Sequence, residues 1–192
     1  MENFKSGFIT LVTGSMFSGK TEELMRTLRR FEIAKQKVVL FKPQIDNRYD
    51  AEKVVTHNGD AISAVVKKNS QEIADYLADN DYQTFDVIGI DEAQFFDLDV
   101  LTKLASTWAN DGKKVVIAAL DQTFEGVPFA GMPNLFVEAE VVKKLHAVCM
   151  VCGGLASRTH RLGESKNIVE VGGTDKYQAL CRKCFVQANQ KS

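Results

Sequence analysis

The sequence predicts an α/β fold, in which a mainly parallel sheet carries helices on both faces and a small cysteine-bearing lobe follows. Apolar runs of strand length alternate with segments whose apolar residues recur at helical spacing. Polar residues directly follow several of these runs, as they do at the ligand-binding edge of parallel sheets. All four cysteines lie after residue 143. We therefore divide the chain into a core, residues 1–142, and a lobe, residues 143–192.

The chain opens with a strand, a glycine-rich turn and a helix. Residues 8–12 form a strand-like run, and apolar side chains at helical spacing predict a helix over residues 20–34. Between them stands G-x-x-x-x-G-K-T, the pattern of a phosphate-binding loop, whose N–H groups and helix N-terminus attract an anion. The candidate nucleotide ligands are Gly14, Ser15, Met16, Phe17, Ser18, Gly19, Lys20 and Thr21.

Lys20 and Thr21 have separate roles in such a loop. The ammonium group of Lys20 reaches the outer phosphates of a nucleoside triphosphate, and the hydroxyl group of Thr21 is a ligand for Mg²⁺. The alternative is a glycine-bearing turn that matches the pattern by accident. The strand before the turn and the helix after it favour the nucleotide site.

The alternation of strands and helices continues beyond the first helix. Four further strands are predicted over residues 38–41, 61–66, 85–90 and 115–120, the first of them stopped by Pro43. Two further helices are predicted, one that starts at a cap formed by Asn69 and Glu72 and one from Val100 to Gly112. Asp91 and Asp121 follow predicted strands, so we expect both at the same edge of the sheet as the glycine-rich turn.

The acidic pair Asp91-Glu92 predicts the second half of a nucleotide site. We place Asp91 near Mg²⁺ and assign Glu92 as the general base for the group that attacks the γ-phosphate. That group is either a water molecule or a substrate hydroxyl, and a solvated acidic turn is the alternative to a site. Arg48 is either a clamp on the transferring phosphate or a surface arginine.

Two C-x-x-C pairs predict a structural Zn²⁺ site, with Cys149 and Cys152 in the first pair and Cys181 and Cys184 in the second. Each pair places two thiolates on one side of a turn, and together they complete a tetrahedral shell. The alternative, a redox dithiol, would need only one pair. The residues between the pairs, 153–180, are predicted to form a long loop over the crevice.

The composition is that of an ordinary soluble protein. Hydrophobic residues make up 45% of the chain and charged residues 26%, and the net charge of −1 with no basic block disfavours nucleic acid as a partner. The first residues lack the pattern of a signal peptide, and no apolar run is long enough to span a membrane. We therefore expect a cytoplasmic protein with no membrane partner.

Taken together, these motifs resemble the type II thymidine kinases over nearly the whole chain. The resemblance rests on both cysteine pairs and on GSMFSGKT at 14–21, KPQIDNRY at 42–49, IDEAQFF at 90–96, ALDQTF at 119–124 and GGTDKYQALCRKC at 172–184. It implies a RecA-like P-loop core, a zinc-ribbon-like lobe with a lasso loop, and a homotetramer. It also implies a kinase of nucleoside salvage for DNA synthesis, which uses ATP and Mg²⁺ to phosphorylate thymidine at its 5′-hydroxyl.

By position, the resemblance makes Glu92 the base that takes the proton of the 5′-hydroxyl. It adds to the nucleotide site Asp46, Arg48, Asp91, Ala93 and Gln94. It places around thymidine Phe95, Leu120, Phe124, Thr159, Ile168, Val169, Glu170, Val171, Gly172 and Tyr177, with Met16 also in the pocket lining. Because donor and acceptor share one crevice, we expect thymidine triphosphate to act as a feedback inhibitor.

Two other classes of protein share part of this pattern. A P-loop ATPase that grips nucleic acid through a zinc ribbon would carry a basic lobe, whereas residues 143–192 have only a modest basic excess. A catalytically idle nucleotide-binding regulator would not require Lys20, Thr21 and the acidic pair, all of which are intact.

Overall fold

The computed structural model describes residues 6–44, 53–55, 61–163 and 172–190, and it confirms the α/β fold. The strands are β1 (Phe8–Gly14), β2 (Val38–Pro43), β3 (Lys53–Val55), β4 (Ala61–Ser63), β5 (Val65–Lys67), β6 (Val87–Ile90), β7 (Lys114–Leu120), β8 (Val141–Leu145), β9 (Ala147–Val148), β10 (Leu155–Ala156), β11 (Arg158–Arg161) and β12 (Tyr177–Leu180). The α-helices are α1 (Lys20–Ile33), α2 (Ser70–Asp79), α3 (Leu98–Asn110), α4 (Met132–Glu138) and α5 (Arg182–Asn189).

The main sheet has six strands in the order β5-β2-β6-β7-β1-β8, and every neighbouring pair is parallel. β7 lies between β1 and β6, so the three strands end side by side at one edge. Gly14 ends β1, while Asp91 and Asp121 come directly after β6 and β7. The prediction that these three positions share an edge of the sheet is confirmed.

Alternate residues of each strand point to opposite faces of the sheet, which gives the core two layers. On one face, side chains such as Ile9 and Leu11 of β1 pack against α2, α3 and α4. On the other face, Phe8 and Val12 of the same strand pack against α1. Helices therefore cover both faces of the sheet, as the sequence predicts. The burial of apolar side chains also fixes the position of each strand along its axis, and so the point at which it ends.

The chain requires glycine at Gly89 because α1 and β6 approach closely there. A Cβ atom on Gly89 would lie 2.7 Å from Cδ1 of Leu28 and 3.1 Å from Cδ1 of Leu40, closer than side chains pack. α1 follows the glycine-rich loop, and β6 leads into the acidic pair. The close approach therefore brings the two halves of the predicted nucleotide site together.

The strand predicted over residues 85–90 begins two residues later, as β6, and two other strand predictions also differ from the structure in detail. β2 includes Pro43 as its last residue, because the ladder continues through the next donor, the N–H of Gln44, which bonds to the carbonyl oxygen of Lys67 at 2.9 Å. The predicted strand over residues 61–66 is two strands that separate at Ala64. β4 pairs antiparallel with β3, whereas β5 joins the main sheet beside β2. One apolar run cannot show such a change of partner.

The predicted cap of α2 is present, whereas two elements of the fold are not expected from the sequence. Asn69 caps α2, since its side chain accepts a hydrogen bond of 2.9 Å from the N–H of Glu72, as expected. Neither α4 nor β8 is predicted from the sequence pattern. β8 (VVKKL) contains two lysines and alternates half-buried with exposed residues, which is typical of an edge strand. It crosses position 142, where we placed the end of the core, and pairs with β1.

The lobe is built from two antiparallel pairs and a helix. β9 pairs with β10, β11 pairs with β12, and α5 packs on them around a small core that contains Cys149, Cys184 and Phe185. The prediction of one long loop over 153–180 is therefore wrong where β10, β11 and β12 lie, while 164–171 lie outside the described residues. The polar sequence of β11 hid its strand character. No helix in the described part of the chain has the length and apolarity to cross a membrane.

Candidate active site

The glycine-rich loop folds back tightly at the end of β1. Gly14 has a φ of 146°, and a Cβ atom there would lie 2.4 Å from the carbonyl oxygen of Leu145. Gly19 has a φ of 82°, a left-handed conformation that favours glycine. Phe17 is also left-handed, with a φ of 63°. These turns direct the backbone around a small space at the start of α1, as an anion-binding loop requires.

The ammonium group of Lys20 lies inside this loop. Nζ donates a hydrogen bond of 2.8 Å to the carbonyl oxygen of Ser15, which also accepts one of 2.8 Å from the hydroxyl of Ser18. Burial lowers the pKa of Lys20, and the charges of Glu92 and Asp91 offset part of that effect. A buried cation beside main-chain N–H groups matches what the outer phosphates of a nucleotide need.

Thr21 and Asp91 form a donor set that fits Mg²⁺. The hydroxyl of Thr21 donates to Oδ2 of Asp91 at 3.1 Å, and Oδ1 accepts the N–H of Glu92 at 3.0 Å. Burial, and then the negative charge of Glu92, raises the pKa of Asp91 to about 7. Carboxylate and hydroxyl oxygens are ligands that Mg²⁺ prefers. A divalent cation at this point would also offset the cost of burying the Asp91 charge.

Glu92 is held in a fixed orientation by Gln94. The backbone of Glu92 is left-handed, with φ 49° and ψ 40°, and its Oε2 accepts a hydrogen bond from Nε2 of Gln94. Oε1 of Gln94 in turn accepts the N–H of Leu120 at 3.0 Å, and Gln94 is only 6% exposed. A residue at the edge of a crevice whose backbone is strained and whose carboxylate is held by a hydrogen bond is typically functional.

Two residues near the acidic pair, Ala93 and Asp121, make contacts that stabilise the fold. Ala93 is fully buried in the core, so its methyl group packs among apolar side chains. Asp121, at the end of β7, is buried, and its Oδ2 lies 2.8 Å from Nζ of Lys144 on β8. This ion pair joins the ends of β7 and β8. Lys144 was not singled out in the sequence, because its strand was not predicted.

The lobe touches the glycine-rich loop through Thr159. Oγ1 of Thr159, which is buried on β11, accepts the N–H of Met16 at 3.0 Å. Two residues predicted to line the thymidine pocket, from distant parts of the sequence, are thus in direct contact. Phe95 and Leu120, which follow or end the neighbouring strands, are half-buried.

Phe124 and Tyr177 are joined by Arg161, a residue that the sequence analysis missed. The guanidinium carbon of Arg161 lies 3.8 Å from the ring centroid of Phe124 and 5.3 Å from that of Tyr177. Nη2 of Arg161 also donates to the hydroxyl of Tyr177 at 2.9 Å. Arg161 comes two residues after Thr159, which places both on one face of a strand. This two-residue spacing from Thr159 was the signal in the sequence from which Arg161 could have been found.

Six predicted site residues belong to segments outside the described part of the chain. Asp46, Arg48, Ile168, Val169, Glu170 and Val171 lie outside the described residues. Gly172 is described and half-buried, in the turn that leads into β12. In that turn the N–H of Tyr177 donates to the carbonyl oxygen of Gly173 at 3.0 Å.

The four cysteines come together as a cluster that fits Zn²⁺. The four sulfur atoms lie within 4.8 Å of one another, and those of Cys152 and Cys181 are 3.7 Å apart. A tetrahedral site with Zn–S bonds of about 2.3 Å has sulfur atoms about 3.8 Å apart. All four thiols are free, with no disulfide between them. Four protein ligands leave no open position, so a zinc ion bound here would be structural rather than catalytic.

The pKa values of two of the four thiols are shifted in opposite directions. Hydrogen bonding to Cys181 is the largest cause that raises the pKa of Cys184, to about 12. Burial raises the pKa of Cys149, but hydrogen bonds from the backbone of Cys181 and Cys152 outweigh it and lower the value to about 6. Four neighbouring thiolates repel one another unless a cation lies between them.

The chain matches one protein family over most of its length. The family model for thymidine kinase matches residues 7–185, a range that contains the glycine-rich loop, the acidic pair and both cysteine pairs. Among solved structures, the chain is similar at 12% identity to a protein described as a DNA replication initiation factor. That likeness covers 73% of this chain but only 40% of the other, with a TM-score of 0.41, and supports no conclusion about function. The family match does: this chain belongs to the thymidine kinase family, a family of phosphotransferases.

Proposed function

We propose that this protein transfers the γ-phosphoryl group of ATP to the 5′-hydroxyl of thymidine, yielding thymidine monophosphate and ADP. Membership of the thymidine kinase family supports phosphorylation of thymidine in general. The observation that carries the finer proposal is the hydrogen bond between Thr21 and Asp91, with Glu92 next in the chain. It combines a metal-binding group and a proton acceptor beside a phosphate-binding loop.

The donor ATP would lie with its phosphates in the loop 14–21. Main-chain N–H groups and the ammonium of Lys20 would bind the outer phosphates, and Thr21 with Asp91 would hold Mg²⁺. When bound, Mg²⁺ neutralises the charge that develops on the transferring phosphoryl group. Asp46 and Arg48 are assigned to this end of the site by family resemblance.

Glu92 would act as the general base. As the 5′-oxygen of thymidine attacks the γ-phosphorus, a new O–P bond forms and the bond to the bridging oxygen of ADP breaks. The hydroxyl proton passes to the carboxylate of Glu92 and then to solvent. Because Gln94 already holds the Glu92 carboxylate by a hydrogen bond, the orientation of that carboxylate needs little change when the substrate binds.

Thymidine would bind in the crevice between the glycine-rich loop and the lobe. Met16 and Thr159 close one side, where they are hydrogen-bonded to each other. The aromatic rings of Phe95, Phe124 and Tyr177 offer faces or edges for contact with the base. Leu120 and main-chain groups of 168–172 complete the proposed pocket by family resemblance.

The shared crevice also suggests a mode of regulation. Thymidine triphosphate could place its base in the acceptor pocket and its phosphates in the loop 14–21. One molecule would then fill both sites and avoid part of the entropy cost of ordering two. A cytoplasmic homotetramer, with a structural Zn²⁺ in each chain, completes the proposal.

An acceptor panel tests this function. Purified protein is mixed with Mg-ATP and, in separate samples, thymidine, deoxyuridine, deoxycytidine, a purine deoxynucleoside, single-stranded DNA or no acceptor, and ADP release is measured. We expect thymidine to give the fastest release and the sample without acceptor to give almost none. ADP release that single-stranded DNA stimulates and thymidine does not would replace the proposal with a nucleic-acid-dependent ATPase.

A further inference from the structure

Arg161 lies between two aromatic rings, those of Phe124 and Tyr177, where the lobe meets the core. It is 6% exposed, and Tyr177 beside it is 5% exposed. Its guanidinium carbon is 3.8 Å from the ring centroid of Phe124, well inside the range of a cation–π contact. None of the roles in the proposed phosphoryl transfer uses this buried charge.

The position of Arg161 follows from strand register. In the antiparallel pair of β11 and β12, Arg161 lies directly opposite Tyr177, and its Nη2 donates to the tyrosine hydroxyl at 2.9 Å. Phe124 comes from the core, in the segment that follows β7. One side chain therefore connects two strands of the lobe to a segment of the core, and it does so through the two rings assigned to the nucleoside pocket.

We propose that Arg161 is a positioning residue that orients the aromatic rings of the nucleoside pocket. Its guanidinium covers one face of Phe124, so that only the opposite face is open to a nucleobase, and it holds the hydroxyl of Tyr177 in place. The proposal rests on the proposed function, because it takes Phe124 and Tyr177 as the residues that contact the base. Arg161 would therefore affect nucleoside affinity from outside the pocket lining.

An arginine suits this task better than a lysine or an apolar side chain. The planar guanidinium stacks on one ring and donates a directed hydrogen bond to another group at the same time. A lysine ammonium keeps the charge but cannot cover a ring face. An unbranched apolar side chain fills the space without fixing the orientation of either ring.

Substitution of Arg161 tests the proposal, with Arg161→Met as the main variant and Arg161→Lys as the conservative one. We expect Arg161→Met to raise the KM for thymidine about tenfold, because the two rings are then no longer held in place and must be ordered when thymidine binds. The kcat and the KM for ATP should stay within about twofold, because the phosphate loop and Glu92 are untouched. Arg161→Lys should fall between the wild type and Arg161→Met.

The matched control is Arg182→Met, the same change at an exposed position of the same lobe. It should leave all three kinetic constants unchanged. A thymidine KM in Arg161→Met within about twofold of the wild type would overturn the proposal. So would equal losses for thymidine and ATP, or loss of bound zinc in both Arg161 variants, since each would indicate a role in folding alone.

A second readout does not depend on activity and separates this proposal from the proposed function. A 4-fluorophenylalanine is placed at position 124, and its ¹⁹F resonance is compared between the wild type, Arg161→Met and Arg182→Met. We expect the resonance to shift or broaden in Arg161→Met only. If it is unchanged there, the positioning role fails even for an active enzyme. If it changes while another nucleoside proves to be the substrate, the positioning role stands and is measured with that nucleoside.

Discussion

Replacing Asp91 with asparagine is expected to stabilise the metal-free protein at pH 8, although it removes a proposed magnesium ligand. Burial, and then the charge of Glu92, raises the pKa of Asp91 from 3.8 to about 7. A carboxyl group whose pKa rises on folding stabilises the folded state while it is protonated, and this contribution is lost as the pH rises to the folded pKa. Asparagine buries no charge, and its oxygen can still accept the hydroxyl of Thr21.

The size of the gain follows from the shift. A rise from 3.8 to about 7, at about 1.4 kcal/mol per pKa unit, costs the folded state about 4 kcal/mol at pH 8. That pKa already includes the attraction of Lys20, but asparagine has one acceptor oxygen where Asp91 has two, so Asp91→Asn gives up the hydrogen bond from the N–H of Glu92 and recovers less than the full cost. We therefore expect Asp91→Asn to raise the free energy of unfolding by about 2–4 kcal/mol at pH 8. The gain should be about 2 kcal/mol smaller at pH 5, where Asp91 is protonated in the folded wild type.

Urea unfolding followed by circular dichroism, in magnesium-free buffer at pH 5 and pH 8, measures these gains. Asp79→Asn, the same change at an exposed carboxylate, is the control and should have little effect at either pH. Addition of Mg-ATP should stabilise the wild type more than Asp91→Asn. A variant less stable than the wild type at pH 8 without magnesium would refute the reasoning, as would a gain that does not depend on pH.

Three further outcomes follow from the site and the lobe. Lys20→Ala should lower both ATP affinity and turnover, by more than about tenfold in kcat/KM, because its charge serves the ground and transition states alike; a smaller loss in steady-state assays would remove the loop from the donor site. Metal analysis should find one zinc per chain, and Cys181→Ser should release it and expose the lobe to proteolysis before the core; a zinc-free native protein would contradict this. Thymidine triphosphate should inhibit competitively with thymidine, and inhibition that saturating thymidine does not relieve would exclude the bridging mode.

The parts of the fold that the sequence predicts are those governed by local pattern. Central strands such as β1 and β7 are apolar runs in the sequence because helices cover both faces of the parallel sheet. The glycine-rich turn was recognisable because its backbone conformation demands glycine at fixed spacing. The edge strand β8 and the polar strand β11 were not, since each has a face outside the apolar core and so lacks a continuous run.

The candidate site shows the same division. Lys20 and Thr21 could be named because a short motif places them at the start of α1, and the acidic pair because it directly follows an apolar strand. Gln94 could be named only by resemblance, and its bond to Glu92 depends on the 3₁₀ turn Ala93–Phe95. Arg161 was missed altogether, because Arg161 and its two partners, Phe124 and Tyr177, come from three different segments and meet only through tertiary packing.

Phosphorus NMR of the product, with wild type and Glu92→Gln compared under one set of conditions, tests the central claim most directly. Glutamine keeps the shape of Glu92 and loses the proton acceptor, and loss of a general base slows reactions by about 10²–10⁴-fold. We predict that the wild type converts thymidine and ATP to thymidine 5′-monophosphate and ADP, and that Glu92→Gln forms the same product at least about a hundredfold more slowly, with thymidine binding retained. A 3′-phosphorylated product, inorganic phosphate in place of a nucleotide, or near-normal turnover by Glu92→Gln would contradict it.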